Sequence, residues 1–163
     1  MKSDRSGKIL VIDDDKDVLF TAGLVLKGLF KKVDTLDRPG LIPEYLKACK
    51  YDVILLDMNF SRGTTSGKEG LEWLQKILKI DPDVCVLTTT AYGEINLAVQ
   101  AMKNGAVDFL IKPWNKEQLV ASVRNVVQLN ATRNQKRAKS RSAGADNTGR
   151  SRYPEIIGRA AVM

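Results

Sequence analysis

The sequence contains no histidine, few aromatic residues (6%) and no long hydrophobic run. The absence of histidine excludes a Ser-His-Asp triad and a histidine-ligated zinc site. No apolar stretch approaches the roughly 20 residues that span a bilayer, and the polar start of the chain, residues 1–8, does not resemble a secretory signal. These absences predict a soluble, cytoplasmic protein with no membrane partner, whose chemistry depends on carboxylates, hydroxyls and lysines.

Cysteine is also scarce, and the two cysteines, Cys49 and Cys85, lie far apart. We expect reduced thiols rather than a disulfide, as in most cytosolic proteins. The net charge of +7 is unevenly placed, because residues 1–130 contain 18 Lys+Arg and 17 Asp+Glu, whereas residues 131–163 contain 8 and 2. The basic character therefore belongs to the C-terminal segment, and residues 1–130 are nearly neutral.

Short apolar runs alternate with segments of helical periodicity five times along the chain. This alternation predicts an α/β fold with a parallel sheet and helices on both faces. About 120 residues suit a five-stranded, doubly wound, flavodoxin-like sheet of order 2-1-3-4-5, although periodicity alone does not give the strand order. The predicted strands are 9–12, 33–36, 52–57, 84–87 and 107–111.

The periodic pattern stops near Asn130, which predicts one domain over residues 8–129. Residues 130–152 are basic and rich in serine, asparagine and glycine, a composition typical of a flexible linker. They carry no sustained heptad, so we do not expect a coiled coil. Residues 153–163 become apolar again but are too short to fold alone, and we interpret them as the start of a following domain.

Polar residues that can act in chemistry come directly after four of the predicted strands. Asp13 and Asp14 follow the first, Asp57 ends the third, Thr90 or a neighbouring threonine follows the fourth, and Lys112 follows the fifth. The carboxyl ends of parallel strands lie at one edge of the sheet, so these groups can converge there. Each residue taken alone also fits a helix cap or a solvated surface position.

Three carboxylates together form a hard oxygen site suited to Mg²⁺. A hydroxyl and an ammonium group are suitable partners for the oxygens of a phosphoryl group. Because a carboxylate can accept a phosphoryl group covalently, Asp57 is the predicted nucleophile.

The motifs at these positions resemble those of a bacterial two-component response-regulator receiver domain. The resemblance covers about residues 8–129 and rests on residues 11–15, 52–59, 90–91 and 105–114. It implies that a sensor histidine kinase phosphorylates Asp57. It also implies a cis bond between Lys112 and Pro113, and a homodimer through the fourth helix, the fifth strand and the fifth helix.

The resemblance further implies a role for each residue of the site. Asp14, Asp57 and the backbone carbonyl of Asn59 would ligate Mg²⁺, with Asp13 acting mainly through water. Thr90 would bind a phosphoryl oxygen, and Lys112 would pair with the phosphoryl group. Phe109 takes the position of the aromatic switch residue, which reorients together with Thr90.

The loop after Asp57 departs from the family pattern. It has no proline in Phe60-Ser61-Arg62, and Gly70 comes 13 residues after Asp57 instead of eight. We interpret this as an insertion of about five residues within 60–69, either tolerated at the surface or changing access to the acyl phosphate. Residues 63–68 resemble a phosphate-binding loop, but the glycine spacing is short and Glu69 replaces the magnesium-binding hydroxyl, so we reject that interpretation.

The last residues of the chain indicate what kind of domain the predicted receiver domain controls. Residues 156–159, with Met163, resemble the start of the ATPase domain of sigma-54-dependent transcriptional activators. This predicts that the chain controls an output domain that lies beyond it, and that DNA is contacted only through domains absent from this sequence.

Two other classes of protein fit part of the pattern. An aspartate-nucleophile, magnesium-dependent phosphatase also uses a carboxylate after the first strand, but Asp17 stands where its motif requires threonine or valine. A nucleic-acid binder could use residues 133–152, but no aromatic residues lie between these charges, and residues 1–130 are nearly neutral. The phosphoacceptor module is therefore the leading interpretation.

Overall fold

The computed structural model describes residues 6–59 and 68–143. Strands and helices alternate throughout this part of the chain. The strands are β1 (Lys8–Ile12), β2 (Lys32–Leu36), β3 (Val53–Asp57), β4 (Cys85–Ala91) and β5 (Asp108–Lys112). The helices are α1 (Lys16–Lys27), α2 (Ile42–Ala48), α3 (Lys68–Ile80), α4 (Ile95–Lys103) and α5 (Lys116–Ala143), and a 3₁₀ turn, Pro39–Leu41, precedes α2.

All five strands are parallel and form one sheet in the order β2-β1-β3-β4-β5. This confirms the predicted fold class and strand order. The chain runs from β1 to one edge of the sheet at β2, then crosses to the other side of β1 at β3. Ligands bind in such sheets at the carboxyl ends of the strands where the order reverses, and here that position lies between β1 and β3.

The core consists of two apolar layers, because successive side chains of a strand point to opposite faces of the sheet. One layer, the α3 face, contains Leu10, Ile54 and Val86 of the strands with Leu74 and Ile77 of α3. The other layer, the α1/α5 face, is formed by Val11, Leu55 and Leu87 of the strands, with Leu26 of α1 and Val123 of α5. The strands are apolar on both sides because helices cover both faces.

The side chain of Asp15 caps helix α1. Its carboxylate accepts hydrogen bonds from the backbone N–H groups of Asp17 and Val18, which satisfies donors that the first turn leaves free. At the start of α5, Asn115 and Gln118 bond reciprocally, each side chain accepting from the other's backbone N–H. Asp15 thus belongs to the helix and not to the cluster of acids.

Strand β4 is longer than the sequence predicted. The prediction ended it at Leu87 and treated Thr88, Thr89 and Thr90 as residues after the strand, whereas all three lie within β4 and are buried. Threonine is β-branched and fits a pleated strand well, so the sheet extends as far as Ala91.

Helix α5 also extends beyond the predicted end near residue 129, as far as Ala143. The composition of residues 130–152 predicted a flexible linker, and residues 131–143 of that segment are helical. Alanine, arginine, lysine and glutamine favour helices, and adding a turn to an existing helix costs little compared with nucleating one. The chain divides into units 1–130 and 131–163; the predicted domain start at residues 153–163 lies outside the described residues.

Cys49 and Cys85 are free thiols. None of the helices described is both long enough and apolar enough to cross a bilayer.

Candidate functional site

Three predicted acids meet at the carboxyl ends of β1 and β3. Asp13, Asp14 and Asp57 each place a carboxylate oxygen within 4.8 Å of the others. The cause is the sheet order, because β1 and β3 are neighbours and Ile12 pairs with Leu56, one residue before each acid. Asp13 and Asp57 are only 2% and 3% exposed, and Asp14 is half-buried.

Backbone groups hold two of these acids in place. The N–H of Asp15 donates to Asp13 Oδ1 at 2.9 Å, and the N–H of Asp13 donates to the carbonyl of Leu36 at 3.2 Å. The N–H of Asn59 donates to Asp57 Oδ1 at 3.3 Å. The carboxylates are therefore oriented by the chain itself.

Lys112 bridges two of the acids from β5. Its Nζ lies 2.7 Å from Asp13 Oδ2 and 3.2 Å from Asp57 Oδ1. The bond between Lys112 and Pro113 is cis, which confirms the prediction for that bond. The ammonium group thus reaches the acids across β4, from the far edge of the sheet.

The electrostatics of the site are unbalanced. Burial raises the pKa of Asp57 to about 7, and repulsion from Asp13 adds to this shift, while Lys112 and the N–H of Asn59 oppose it. Burial alone would lower the pKa of Lys112, but attraction by Asp57 and Asp13 outweighs burial and raises it. Lys112 therefore faces two buried carboxylates, Asp13 and Asp57, that repel each other, and the carboxylate of Asp14 lies close to both.

This donor set fits a divalent cation. The three acids offer hard oxygen ligands, which Mg²⁺ prefers, and Mg²⁺ is commonly bound by one or two carboxylates with water completing its shell. A dipositive ion would also offset the excess negative charge that raises the pKa of Asp57. The residues present are thus compatible with the predicted magnesium site.

The remaining predicted residues surround this cluster. Thr90 is fully buried near the end of β4, and its Oγ1 has no hydrogen-bond partner among the described residues. Phe109 is half-buried in β5 opposite Thr88. Asn59 is half-buried, and its side-chain amide donates to Glu94 Oε1 at 2.7 Å.

Two residues next to the site were not singled out from the sequence. Glu94, just before α4, contacts Asn59, and no motif or spacing indicates this contact. Thr89 was considered only as one of three interchangeable threonines. It is the register partner of Asp57, it is 3% exposed, and its Oγ1 has no partner among the described residues.

Gly70 explains part of the unusual loop after Asp57. A Cβ at this position in α3 would lie 2.6 Å from the carbonyl oxygen of Met58, a separation that no side chain tolerates. The start of α3 therefore packs directly on the backbone that follows Asp57. The inserted segment itself, and most of the rejected phosphate-loop motif, lie outside the described residues.

The geometry defines a class of site: an acidic cluster with one lysine, at the switch point of a doubly wound parallel sheet. The sequence matches the family described as "Response regulator receiver domain" over residues 9–124. The chain belongs to this family, which confirms the family predicted from the sequence motifs.

Two curated relatives and a solved structure are similar to the chain. The C4-dicarboxylate transport transcriptional regulatory protein DctD of Rhizobium meliloti (strain 1021) is 30% identical over 95% of this chain and 32% of its own length. The luminescence regulatory protein LuxO of Vibrio campbellii is 35% identical, over 69% and 22%. The N-terminal receiver domain of a response regulator from Bacteroides fragilis is 40% identical, with a TM-score of 0.68, and covers 75% of this chain and 97% of that one.

The chain spans about a third or less of the length of these two relatives. Both are regulatory proteins by name, so the family supports a regulatory role for this chain in two-component signalling.

Proposed function

We propose that this chain accepts a phosphoryl group on Asp57 from a sensor histidine kinase and thereby controls an attached transcription-activating domain. The observation that carries the proposal is the convergence of three carboxylates within 4.8 Å of one another, with Lys112 bonded to two of them. A structural ion pair needs one acid for one base. Here two buried acids, Asp13 and Asp57, share one lysine, which is explained if the site binds a cation and a phosphoryl group.

In the proposed reaction, a carboxylate oxygen of Asp57 attacks the phosphorus of a phosphohistidine. The new O–P bond forms as the P–N bond breaks, and the imidazole leaves with the electron pair of that bond and takes up a proton. When bound, Mg²⁺ neutralises charge on the transferred group. Lys112 contributes a second positive charge beside Asp57, where electrostatic positioning has the largest effect.

The proposed ligands of Mg²⁺ are Asp14, Asp57 and the carbonyl oxygen of Asn59, with Asp13 acting through water. The buried hydroxyl of Thr90 would bind a phosphoryl oxygen. Phe109 would change its rotamer when Thr90 moves toward the phosphoryl group. In this proposal the protein catalyses only its own phosphorylation and dephosphorylation, in the cytoplasm.

The signal would leave through the face formed by α4, β5 and α5. The residues Ile95, Val99 and Met102 of α4 are 47%, 45% and 40% exposed. Exposed apolar side chains at helical spacing favour a protein contact, and we propose a homodimer there. DNA would be contacted only through other domains, and the relative DctD is a transcriptional regulatory protein by name.

The test is to incubate the chain with Mg²⁺ and acetyl phosphate and to measure intact mass and oligomeric state. We expect the mass of one added phosphoryl group, which is lost on EDTA treatment before the reaction and in Asp57→Asn. Asp52→Asn is the matched control, because Asp52 lies at the other end of β3 and bonds the backbone N–H of Lys8.

Each alternative outcome excludes a part of the proposal. Multiple turnover of phosphate esters would indicate the phosphatase instead. Absence of any Mg²⁺-dependent modification would exclude both. A modified protein that remains a monomer would exclude only the proposed dimer.

A further inference from the structure

Thr89 faces the same side of the sheet as Asp57. In β3 and β4, the residues Leu55 and Leu87 belong to the α1/α5 face, and alternation along each strand places Asp57 and Thr89 on that face too. Thr88 and Thr90 point to the α3 face. The cluster of acids is therefore flanked by a threonine on each face of the sheet, and the α1/α5 face is the one that Asp57 shares.

Thr89 is also directly beside Asp57. The two residues are register partners, and the N–H of Met58 donates to the carbonyl of Thr89 at 3.0 Å. Adjacent strands lie about 4.8 Å apart, so the two side chains leave the sheet on the same face, one strand spacing apart. The backbone bond at Met58 fixes this register at the residue that follows the proposed phosphorylation site.

Burial of the Thr89 hydroxyl without a partner lowers the stability of the fold. This hydroxyl is buried and has no hydrogen-bond partner among the described residues. Valine has nearly the same shape and would fill this apolar layer without a buried, unpaired polar group. A threonine at such a position is explained if its hydroxyl has a function other than stabilising the fold.

Asp57 offers a suitable acceptor for this hydroxyl. Both hydrogen bonds that it accepts from described residues, from Asn59 N–H and Lys112 Nζ, go to Oδ1. The other oxygen, Oδ2, can accept a hydrogen bond from a neighbour on the same face. Rotation of Thr89 about χ1 exchanges its hydroxyl and methyl positions without moving the backbone.

We infer that Thr89 is a positioning residue, whose hydroxyl donates to Asp57 Oδ2 and so orients the carboxylate for phosphoryl transfer. This inference rests on the proposed function, since it assigns a role within the same site. It differs from the role proposed for Thr90, because Thr89 would act on the acceptor carboxylate and not on the phosphoryl oxygens.

The test compares Thr89→Val, Thr89→Ser and Thr88→Val in the full chain, with Mg²⁺ and acetyl phosphate. Thr89→Val should lower the maximal rate of phosphorylation about tenfold, as expected for one hydrogen bond to a charged group. The half-saturating acetyl phosphate concentration should not change. Thr89→Ser should restore the rate.

Thr88→Val is the matched control, since it removes a hydroxyl one residue away that faces the α3 face and donates to the carbonyl of Asp108. It should lower the melting temperature and leave the rate unchanged. A wild-type rate in Thr89→Val would overturn the inference alone. A slow Thr89→Ser would attribute the effect to packing and would also overturn it. An unmodified wild-type chain would overturn the proposed function together with this inference.

Discussion

Polar groups at the two ends of the sheet differ in whether they have partners. At the amino ends of the strands, polar groups are paired: Asp52 Oδ2 accepts from the N–H of Lys8 at 2.8 Å, and Asn130 Nδ2 donates to the carbonyl of Asp83 at 3.0 Å. At the carboxyl ends, Asp13 and Asp57 share the ammonium group of Lys112, and the buried hydroxyls of Thr89 and Thr90 have no partner among the described residues.

This difference is expected if the polar groups at the amino end stabilise the fold and those at the carboxyl end take part in the proposed chemistry. Buried polar groups are normally satisfied within the protein, because an unpaired one costs about 1–3 kcal/mol. The amino end follows this rule within the described residues. The carboxyl end departs from it at several positions at once, which is the behaviour expected of a site that awaits a ligand.

The largest effect that we expect at the carboxyl end of the sheet is a gain in stability when the charge of Asp57 is removed. Because the pKa of Asp57 is raised from 3.8 to about 7, the folded state binds a proton more tightly than the unfolded state does. The stability that Asp57 contributes is thus full below about pH 4 and is lost as the pH rises to about 7. Without Mg²⁺ at pH 8, Asp57→Asn should raise the free energy of unfolding by about 2–4 kcal/mol, since each pKa unit corresponds to about 1.4 kcal/mol and the raised pKa already includes the opposing effect of Lys112.

Urea denaturation at pH 4 and pH 8 would measure this gain. It should vanish at pH 4 and shrink when Mg²⁺ is present with the wild-type chain. The paired Asp52, mutated to asparagine, serves as the control and should show no stabilisation at either pH. Equal stability of Asp57→Asn and wild type at pH 8 would contradict the unbalanced-charge account.

The next effect concerns the cation itself. Asp14→Asn removes one of the three clustered carboxylates, and we expect the affinity for Mg²⁺, measured by titration calorimetry, to fall at least tenfold, or about 1.4 kcal/mol. The reason is that neutral amide oxygens attract a divalent ion less strongly than carboxylates do. Asp52→Asn should bind Mg²⁺ like the wild type, and an unchanged dissociation constant in Asp14→Asn would remove this residue from the proposed site.

A smaller effect is expected at the paired end of the sheet. Asn130→Ala removes the hydrogen bond to the carbonyl of Asp83 and the contact of the same amide with Cys85 Sγ at 3.5 Å. Since Asn130 is buried, we expect a loss of about 1 kcal/mol in thermal or chemical unfolding. The affinity for Mg²⁺ should not change, and a parallel loss of both would show that the two ends of the sheet are not independent.

The smallest effect should come from an exposed ion pair at that same end. Lys50 Nζ lies 3.0 Å from Asp81 Oδ1, and the lysine side chain is 66% exposed. Solvent screens such pairs, so Lys50→Gln should cost less than about 0.5 kcal/mol, and less still at high salt. A loss comparable to that of Asn130→Ala would mean that surface charge, and not burial, governs this end.

Much of the fold could be predicted because the sequence repeats simple local signals. The unbroken apolar runs before Asp13 and Asp57 indicate strands that are buried on both faces. The limits were harder to predict. Thr88, Thr89 and Thr90 are polar by composition but extend β4, and residues 131–143 are polar but continue α5. In both segments, a strand or helix that has already formed continues through residues whose composition alone does not predict it.

Within the candidate site, the sequence identified the acids and the lysine but not every neighbour. Each of these residues lies at the end of an apolar run, so its position can be recognised from the sequence alone. The contact of Glu94 with Asn59 joins residues 35 positions apart, and no local pattern encodes it. The face on which Thr89 lies depends on the register of β3 and β4, which is a property of the paired strands.

By itself, the sequence determined the α/β class through its periodicity and the family through its motifs. It did so because hydrophobic periodicity and strand-end residues are local features. The tertiary structure alone decided that Asp13, Asp14 and Asp57 lie within 4.8 Å of one another, that Lys112 reaches across β4 to two of them, and that Thr89 stands beside Asp57. These relations depend on which strands are neighbours and in what register, and only the packed sheet fixes both.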